Sequence, residues 1–393
     1  MTTPTIRTLV LSGILAVLAC TARTSPATEA SVAASNAPDT NVVVDMVKSP
    51  LVIKGIFRNP RAPTNTISSA VWPEAAVMRS LRWLRETQNA DGSWSTDKDP
   101  KAVGTALAVL AFLSHGETPD SSPFGGSVRR GLEYLVSIQQ ENGTFKERGT
   151  HPAIAHGIVT LALCEAYGMT RVPMLGDAAE KALAVILLGQ RGSGLWDAQY
   201  RPNGEDDDLE VSVWQVRAVH AGRLMGSQMA GLAESLDAAA DGLAAVAPTS
   251  AVSSAPFVIQ PLQVLHRKRD ANYVAALEAM KGMQIDWAKP QFDDPIVRWH
   301  LGSQALYRHG GQVWNEWRRA SMPNLVKGQI VEKTAGGFYV GYWDSPGKGE
   351  KYGRVYATAL CSLMLWSGSM IPVYVPEQPK QNADNDEIKI DVR

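Results

Sequence analysis

One turn motif recurs in this chain at a fixed interval. A glutamine is followed four residues later by glycine and six residues later by an aromatic residue in segments 88–94, 139–145 and 190–196. Each copy begins 51 residues after the copy before it. A period of this length is typical of an array of supersecondary units, in which each unit packs on its neighbours.

Each turn is flanked by helical patterns. Apolar residues three apart precede it, as at Leu81 and Leu84, and this spacing places them on one face of a helix. The glycine suits a left-handed residue that ends such a helix. Apolar runs of helical length follow the turns at 104–114, 155–167 and 208–222. The predicted unit is therefore helix, Gly-aromatic turn, helix.

The second helix of each unit has two different sides. Positions 107, 110, 111 and 114 are mostly apolar in all three copies, so we predict that this side packs against the first helices. Positions 105, 108 and 112 change character between copies, as a ligand-facing or solvent-facing surface would. The 51-residue step places Thr105, His156 and Asp207 at one equivalent position on this varying side.

Three further units complete the array. Two helix pairs are predicted at 229–245 with 256–266 and at 273–283 with 295–309, although neither carries the Gln-Gly-Trp turn. A last unit is predicted from about 313 to 370, because Thr-Ala-Leu-Cys at 358–361 nearly repeats Thr-Ala-Leu-Ala at 105–108. The turns themselves are predicted to clamp each outer helix end to the next turn.

These motifs also carry a family resemblance. Gln-x-x-Asp-Gly-Ser-Trp at 88–94, followed by Thr-Ala-Leu-Ala, resembles the repeat of squalene–hopene cyclases and protein prenyltransferases, a group of terpenoid-cyclase-like proteins. Segments 208–215 and 353–360 resemble a secreted bacterial branch of unknown role. The resemblance covers residues 72–372 and implies an all-α (α/α)6 toroid of six helix hairpins (twelve helices) around a central cavity. Function resides in sites rather than in scaffolds, so the resemblance leaves the activity open.

An acidic cluster is the main candidate for chemistry. It comprises Glu205, Asp206, Asp207, Asp208 and Glu210, at the predicted start of the third inner helix. In squalene cyclases an Asp-x-Asp-Asp-Thr-Ala motif lies at this kind of helix start, and its middle Asp protonates an alkene. The resemblance places that catalytic acid at Asp207, with Asp208 beside it and Glu205 in place of the first Asp, whereas residues 209 and 210 depart from Thr-Ala. Trp214 could stabilise a carbocation through its ring face.

Two other interpretations of the cluster stay open. Acidic residues at a helix N-terminus cap free N–H groups and interact favourably with the helix dipole, without any catalysis. A carboxylate cluster at 205–210 could also bind Ca²⁺, although too few ligands are identifiable to predict a metal site or another cofactor.

Other candidates for the cavity are aromatic or histidine residues at inner-helix starts. They are His156, Trp299, His300 and Tyr356, and each could equally be a packing residue. Several enzyme classes are excluded by missing motifs. The chain has no Cys-x-x-Cys or His-x-x-x-His zinc spacing, no Gly-Cys-Gly-Glu-Gln thioester segment, no Gly-x-Ser-x-Gly elbow and no phosphate-binding loop.

The N-terminus is predicted to direct export. Arg7 precedes a short apolar stretch at 9–19, and Val-Leu-Ala-Cys at 17–20 resembles a bacterial lipobox. We expect a signal peptide at 1–19, a lipid on Cys20, a disordered tether at 20–71 and a disordered tail at 373–393. Simple secretion and an uncleaved anchor are the alternatives. The expected location is the bacterial cell envelope, outside the cytoplasm, with the membrane contacted through the lipid.

Net charge and cysteine positions limit the kinds of partner and cross-link that the chain is expected to have. A net charge of −1 argues against binding to nucleic acid. Cys164 and Cys361 fall in separated units, so no disulfide is expected. The sequence thus predicts an anchored toroid that binds a small molecule, glycan or protein in or at its cavity. Whether it is an enzyme stays open, with cyclase-like acid catalysis on a terpenoid-like substrate, or glycan cleavage, as alternatives.

Overall fold

A computed structural model describes residues 67–95, 100–146, 148–204, 206–246, 251–267, 270–346 and 353–370. The signal peptide, Cys20, the tether to residue 66, Glu205 and the C-terminal tail lie outside these residues. The described part contains twelve helices and two short strands. The helices are α1 Ile67–Thr87, α2 Lys101–Ser114, α3 Gly125–Ser137, α4 Pro152–Thr170, α5 Pro173–Leu188, α6 Leu209–Leu224, α7 Leu232–Ala245, α8 Ala255–Val264, α9 Ala271–Met280, α10 Pro295–His309, α11 Gly311–Lys327 and α12 Arg354–Met370.

The even-numbered helices form a closed inner ring. Helices α2, α4, α6, α8, α10 and α12 pack against one another in this order, and α12 packs against α2. The odd-numbered helices lie outside. Each inner helix packs most extensively on the outer helix that follows it in the chain, and α12, the last, packs on α1. The predicted (α/α)6 toroid is confirmed, and its closure joins the first described helix to the last.

The Gln-Gly-aromatic turns lock each unit to the next. Gln190 donates its side-chain amide to the Gly194 carbonyl oxygen in its own turn (2.7 Å) and to the Ser235 carbonyl oxygen at the start of α7 (2.8 Å). The turns at residues 88 and 139 make the same pair of bonds to the next outer helix. Gly194 has φ of 85°, and a Cβ there would lie 2.0 Å from the Ala238 carbonyl oxygen, so only glycine fits.

A fourth copy of this turn is interrupted by a β-hairpin. Strands β1 (Ile330–Lys333) and β2 (Tyr339–Tyr342) pair antiparallel between Gln329 and Trp343. Gln329 donates to the Ala76 carbonyl oxygen of α1 at 2.9 Å, and Trp343 donates its indole N–H to the Leu325 carbonyl oxygen at 2.8 Å. The last turn therefore closes the ring, although the inserted hairpin hides its motif in the sequence.

The predicted orientation of the inner helices is wrong: the varying side, and not the uniform side, packs against the outer layer. Thr105 accepts a hydrogen bond from the Trp94 backbone N–H, and Phe112 packs against Trp94 and Phe124, with ring centroids 6.0 and 5.4 Å apart. This varying side faces the outer layer, where it must fit around different turn aromatics. The uniform side, including Leu110, faces the axis instead.

One inner helix also has the length and apolarity of a membrane span. It is α4, of which 83% is buried among the other helices, so it serves as a core helix of the ring. Cys164 and Cys361 are buried free thiols, as expected from their separation.

Candidate functional site

The acidic cluster forms a loop before α6 rather than its first turns. Asp206 and Asp207 are exposed, and α6 begins at Leu209. Asp207 forms an ion pair with Arg191 and accepts a hydrogen bond from the Ser193 hydroxyl at 2.7 Å. Its partners both belong to the preceding turn, so the loop is fixed against the rim of the ring.

Asp208 is the N-cap of α6. Its carboxylate accepts the Val211 backbone N–H at 3.0 Å, which satisfies one free donor of the first helical turn. Glu210 lies in that turn and is half-buried. Glu205 lies outside the described residues.

The register of α6 corrects one equivalence drawn from the sequence. Trp196 donates its backbone N–H to the Ser212 hydroxyl at 3.1 Å, as Trp94 does to Thr105 and Trp343 to Thr358. Ser212, and not Asp207, is thus the structural counterpart of Thr105. The 51-residue step fails here because the acidic loop adds five residues between the turn and the helix.

His156 lies on the inner helix α4, and its ring faces the outer layer. It contacts the Ala182 carbonyl oxygen of α5 through Nε2 at 2.9 Å and packs between the rings of Phe145 and Tyr200. Burial lowers the pKa of His156 to about 4, so the ring is neutral at neutral pH. Its geometry is that of a packing residue.

Trp299 and Tyr356 are buried as well. Trp299 packs edge-on against Trp287, with ring centroids 5.3 Å apart. Tyr356 lies in the first turn of α12 and is almost fully buried. Trp299 thus belongs to α10 and Tyr356 to α12, whereas the acidic loop precedes α6.

Two of the predicted cavity residues do meet, on the axis. The Trp214 ring on α6 stacks on the His300 ring on α10, with centroids 6.3 Å apart and planes inclined by 9°. Helix α8 separates α6 from α10 in the ring order, so this contact reaches across the interior. The Arg217 guanidinium lies 4.7 Å from the Trp214 ring centre and 3.4 Å from the His300 Nε2 atom. Trp214, Arg217 and His300 thus form one cluster.

More charged side chains join this cluster. Arg308 on α10 interacts electrostatically with Arg217 on α6 and with Glu165 on α4. Helices α4 and α10 lie three steps apart in a ring of six, on opposite sides of the axis. The electrostatic interactions thus link opposite sides of the ring, and the Trp214–His300 contact is the one that brings α6 and α10 side chains together. We call Glu165, Arg217, His300 and Arg308 the axial cluster.

Burial and neighbouring positive charges lower the pKa values of the basic residues in the axial cluster. Burial and the charge of Arg308 lower the pKa of Arg217 to about 9, and the charge of Glu165 only partly opposes this. Burial lowers the pKa of Arg308 to about 10. Burial and the charge of Arg217 hold the pKa of His300 well below its usual value. At neutral pH both arginines are charged and His300 is neutral.

The repeat register identifies what else faces the axis. Arg217 lies five residues after Ser212, and the same offset from Thr105, His156 and Thr358 gives Leu110, Leu161 and Leu363. Leu110 and Leu161 keep a little accessible surface, and Arg217 and Leu363 are half-buried. These positions lie on the side of each inner helix that faces away from the turn aromatics, so the offset that is leucine on three helices is arginine on α6.

Two buried side chains on the inner helices α6 and α8 have polar atoms without hydrogen-bond partners. Gln260 on α8 is fully buried, and neither its amide nitrogen nor its amide oxygen has a hydrogen-bond partner. The Trp214 Nε1 atom is likewise buried and has no hydrogen-bond acceptor. Each such group costs about 1–3 kcal/mol of stability, so a solvent or ligand partner is the expected complement.

The sequence prediction missed four of these residues: Glu165, Arg217, Gln260 and Arg308. A signal was present, since His300, Gln304 and Arg308 follow one another at four-residue steps along one helix face. Glu165 is likewise a lone charge in an apolar run. Charged side chains within a predicted inner helix were the informative feature.

Metal binding finds no support within the described residues. No group of three His, Cys, Asp or Glu side chains there could hold a metal ion. Because Glu205 lies outside that part of the chain, the Ca²⁺ alternative at 205–210 stays a prediction.

Comparison with known proteins supports the repeat and the fold. Residues 65–155 match the family model of the squalene–hopene cyclase C-terminal domain. The squalene–hopene cyclase of Bradyrhizobium diazoefficiens is 33% identical over 85 residues, which are 18% of this chain and only 12% of the cyclase. The chain carries this cyclase-type repeat, as the turn motif predicted.

Solved structures share the toroid. The alpha-1,6-mannanase GH76A of Salegentibacter sp. superposes with a TM-score of 0.54 at 10% identity, covering 76% of this chain and 99% of the mannanase. An inactive variant of it, in complex with alpha-1,6-mannotriose, gives 0.54 at 11% identity with the same coverage. A protein from Actinoplanes gives 0.50 at 17% identity, covering 75% of this chain and 99% of its own. At these identities the likeness shows the fold alone.

Proposed function

We propose that this protein is a lipid-anchored, extracytoplasmic toroid that binds a small ligand at the axis of its ring. The observation that carries the proposal is the contact of Trp214 and Arg217 on α6 with His300 on α10, across the ring. The buried Trp214 Nε1 atom in this contact and the buried Gln260 amide on α8 have no hydrogen-bond partner. Those atoms destabilise the fold unless a ligand or water satisfies them. Such a cost is retained at functional sites, where stability is exchanged for binding.

A bulky side chain facing the axis tests ligand binding. Leu161→Trp places a large ring at the axis-facing offset of α4, whereas Leu188→Trp adds the same ring at a position on α5 that is 77% exposed. Both variants and the parent are incubated with a bacterial envelope extract, repurified and analysed by native mass spectrometry. The parent and Leu188→Trp should retain a common class of small molecule that Leu161→Trp has lost. Equal retention by all three proteins would place binding elsewhere.

The anchor is tested separately. Cys20→Ser removes the predicted lipid-bearing thiol and leaves the toroid unchanged. In a bacterial host the parent should partition into the detergent phase with Triton X-114 and incorporate labelled fatty acid. Cys20→Ser should do neither. A parent protein found wholly in the aqueous phase would argue for simple secretion.

Glycan cleavage is a second candidate, favoured by the fold shared with alpha-1,6-mannanases. Glycosidases generally use two carboxylates about 5–10 Å apart. Here Glu165 lies in the axial cluster, while Asp206, Asp207 and Asp208 lie in the rim loop. Asp207 and Asp208 already have partners in Arg191 and the α6 N-terminus. For the same reason, cyclase-like acid chemistry at exposed Asp207 gains no support from its surroundings.

Hydrolysis is tested with alpha-1,6-mannotriose as substrate and chromatography of the products. The ligand-binding proposal expects no turnover by the parent. Turnover that is lost in Asp207→Asn or Glu165→Gln, and kept in the exposed-site control Asp120→Asn, would replace it with the glycosidase assignment.

A further inference from the structure

We infer that a cleft in the outer layer of the toroid binds a short, uncharged glycan. The cleft lies between the end of α9, with the connection that follows it, and α11 from Gln312 to Ser321, and Leu306 of α10 also lines it. We call it the outer cleft. Its volume is about 460 Å³, within the range of roughly 300–1,000 Å³ that is typical of small-molecule sites. Its described lining contains no residue of the axial cluster, so the inference does not depend on the ligand proposed for the axis.

The outer cleft lies beside a connection that lacks the Gln-Gly-aromatic turn. The connection from α9 to α10 is tied to α11 by other bonds. Trp287 donates its indole N–H to the Asn324 carbonyl oxygen at 2.8 Å, and Asn324 donates its side-chain amide to the Ile285 carbonyl oxygen at 3.1 Å. Within the connection, the Gln291 side-chain oxygen accepts the Gln284 backbone N–H at 3.0 Å. These bonds hold the connection in place, so this wall of the cleft is preformed.

Apolar side chains form the floor of the outer cleft. Met280, Met283 and Leu306 line it and are almost fully buried. Trp317 also lines it and is 6% exposed, and its ring stacks on Trp314 with centroids 5.6 Å apart. This stacking holds the Trp317 ring in one orientation. Such a floor suits the face of a sugar ring that presents C–H groups, because that face is apolar.

Hydrogen-bonding side chains form the rim of the outer cleft. Four of them are exposed, namely Lys281, Gln284, Gln312 and Glu316. Their ammonium, amide and carboxylate groups supply both donors and acceptors. A sugar hydroxyl is likewise both a donor and an acceptor. An apolar floor inside a polar rim therefore matches a sugar ring better than a hydrocarbon.

The charges of the rim do not select a charged ligand. The rim has one positive and one negative side chain, Lys281 and Glu316. The Lys281 Nζ atom lies 2.6 Å from the Glu278 carboxylate, and Glu316 accepts a hydrogen bond from the Gln312 amide at 2.6 Å. Both charged groups are exposed, so water screens them. Recognition is left to hydrogen bonds and apolar contact, as in the binding of a neutral sugar.

A buried donor in the floor lacks an acceptor. The Trp317 Nε1 atom is buried, and within the described residues it has no hydrogen-bond partner. Buried polar groups are usually paired, so an acceptor is expected beside it. A hydroxyl oxygen of a bound sugar, or a water held beneath that sugar, would supply the acceptor.

Isothermal titration calorimetry on the full-length protein tests the outer cleft. The neutral probes are maltotriose, alpha-1,6-mannotriose and triacetylchitotriose. Deacetylated chitotriose is the cationic analogue of the last, and indole is an apolar ring with a single hydrogen-bonding group.

Two pairs of variants locate the binding. Ala320→Trp places a large ring at an exposed position in the lining, and Asn315→Trp places it at an exposed position of the same helix outside the lining. Glu316→Ala removes a rim acceptor, and Glu133→Ala, exposed on the outer helix α3, is its control. Circular dichroism and thermal melting verify that each variant is folded.

We expect at least one neutral trisaccharide to bind. Its Kd should rise by about tenfold or more in Ala320→Trp and by about threefold or more in Glu316→Ala, with both controls unchanged. The inference is overturned if none of the three binds, or if Ala320→Trp binds as the parent does. Binding that is lost in Leu161→Trp and kept in Ala320→Trp would move the sugar to the axis, against this inference and in favour of the axial site. Tighter binding of indole or of the cationic trimer than of every neutral trisaccharide would also overturn it.

Discussion

The turns at the rim and the positions on the axis belong to the same repeat, yet they have diverged very differently. At the rim, Gln88, Gln139, Gln190 and Gln329 all donate to a carbonyl of the next outer helix around the ring. On the axis, the equivalent offset holds Leu110, Leu161 and Leu363 but Arg217 on α6. Positions that build the ring must stay alike, because each makes the same contact. Positions that face the interior contact no neighbouring unit in this way and are free to specialise.

The largest expected effect breaks a rim turn. Gly194→Ala forces a side chain onto a residue with φ of 85°, and its Cβ would meet the Ala238 carbonyl oxygen. The strain and the overlap together should lower the free energy of unfolding by roughly 3 kcal/mol or more.

The control lies in the same turn. Nothing lies within 4 Å of a Cβ added to Gly192, so Gly192→Ala should be nearly neutral. Urea unfolding followed by circular dichroism measures both variants. Comparable losses would mean that the close approach at Gly194 is not what constrains the turn.

Stability is expected to depend on pH through His156 on α4 and His220 on α6. The pKa of His156 is lowered to about 4, so the unfolded chain binds a proton there first, as the pH falls below about 6.5. Stability is therefore complete above that pH and is lost on descent to pH 4, by an amount on the order of 3 kcal/mol. His220 has a similarly lowered pKa, but it is half-buried and water can soften its contribution.

Urea titrations between pH 7 and 4.5 measure this dependence. His156→Gln should flatten the loss of stability with acid more than His220→Gln does. The reverse order would show that the His220 ring is shielded from water more fully than the His156 ring.

A smaller effect is expected at the ring closure. Gln329→Ala removes hydrogen bonds to the Ala76 carbonyl oxygen and to the Arg79 side chain. We expect a loss of about 1–2 kcal/mol, with Arg79 left without this acceptor. Thermal melting measures this loss, with Gln312→Ala at an exposed position on α11 as the control. Identical melting temperatures for the two variants would mean that the Gln329 hydrogen bonds do not contribute to stability.

The smallest effect has the opposite sign. Gln260→Leu replaces a fully buried amide without hydrogen-bond partners by a side chain of similar size. We expect a gain of about 1 kcal/mol in the free energy of unfolding, measured by urea unfolding. A loss of stability would show that the Gln260 amide has partners in solution and does not await a ligand.

The rim was easier to predict from sequence than the axis. The turns recur at one interval because Gly92, Gly143 and Gly194 meet the same steric demand, and repetition is visible without coordinates. Periodicity could also place the helix pairs, including the two without the motif. It could not place Gln329, because a hairpin separates it from Trp343.

The axial site left no repeated signal. Arg217 replaces a leucine of the other copies, and the five-residue insertion before α6 shifts the register that would align them. The turn aromatics decide which face of an inner helix points inward. Trp94 packs against Phe112, so the varying side of α2 faces the outer layer. The electrostatic interaction of Glu165 with Arg308 also depends on the tertiary fold, because α4 and α10 lie on opposite sides of the ring.

The packing of α1 on α12 makes the ring suitable for circular permutation. Residues near 67 and 370 border on the same seam, so a short linker could join them and new termini could be opened between any other two hairpins. A circular permutant cut in the connection between α7 and α8 would keep every rim clamp intact. During synthesis this seam forms late, because α1 must wait for α12, the last described helix, to emerge.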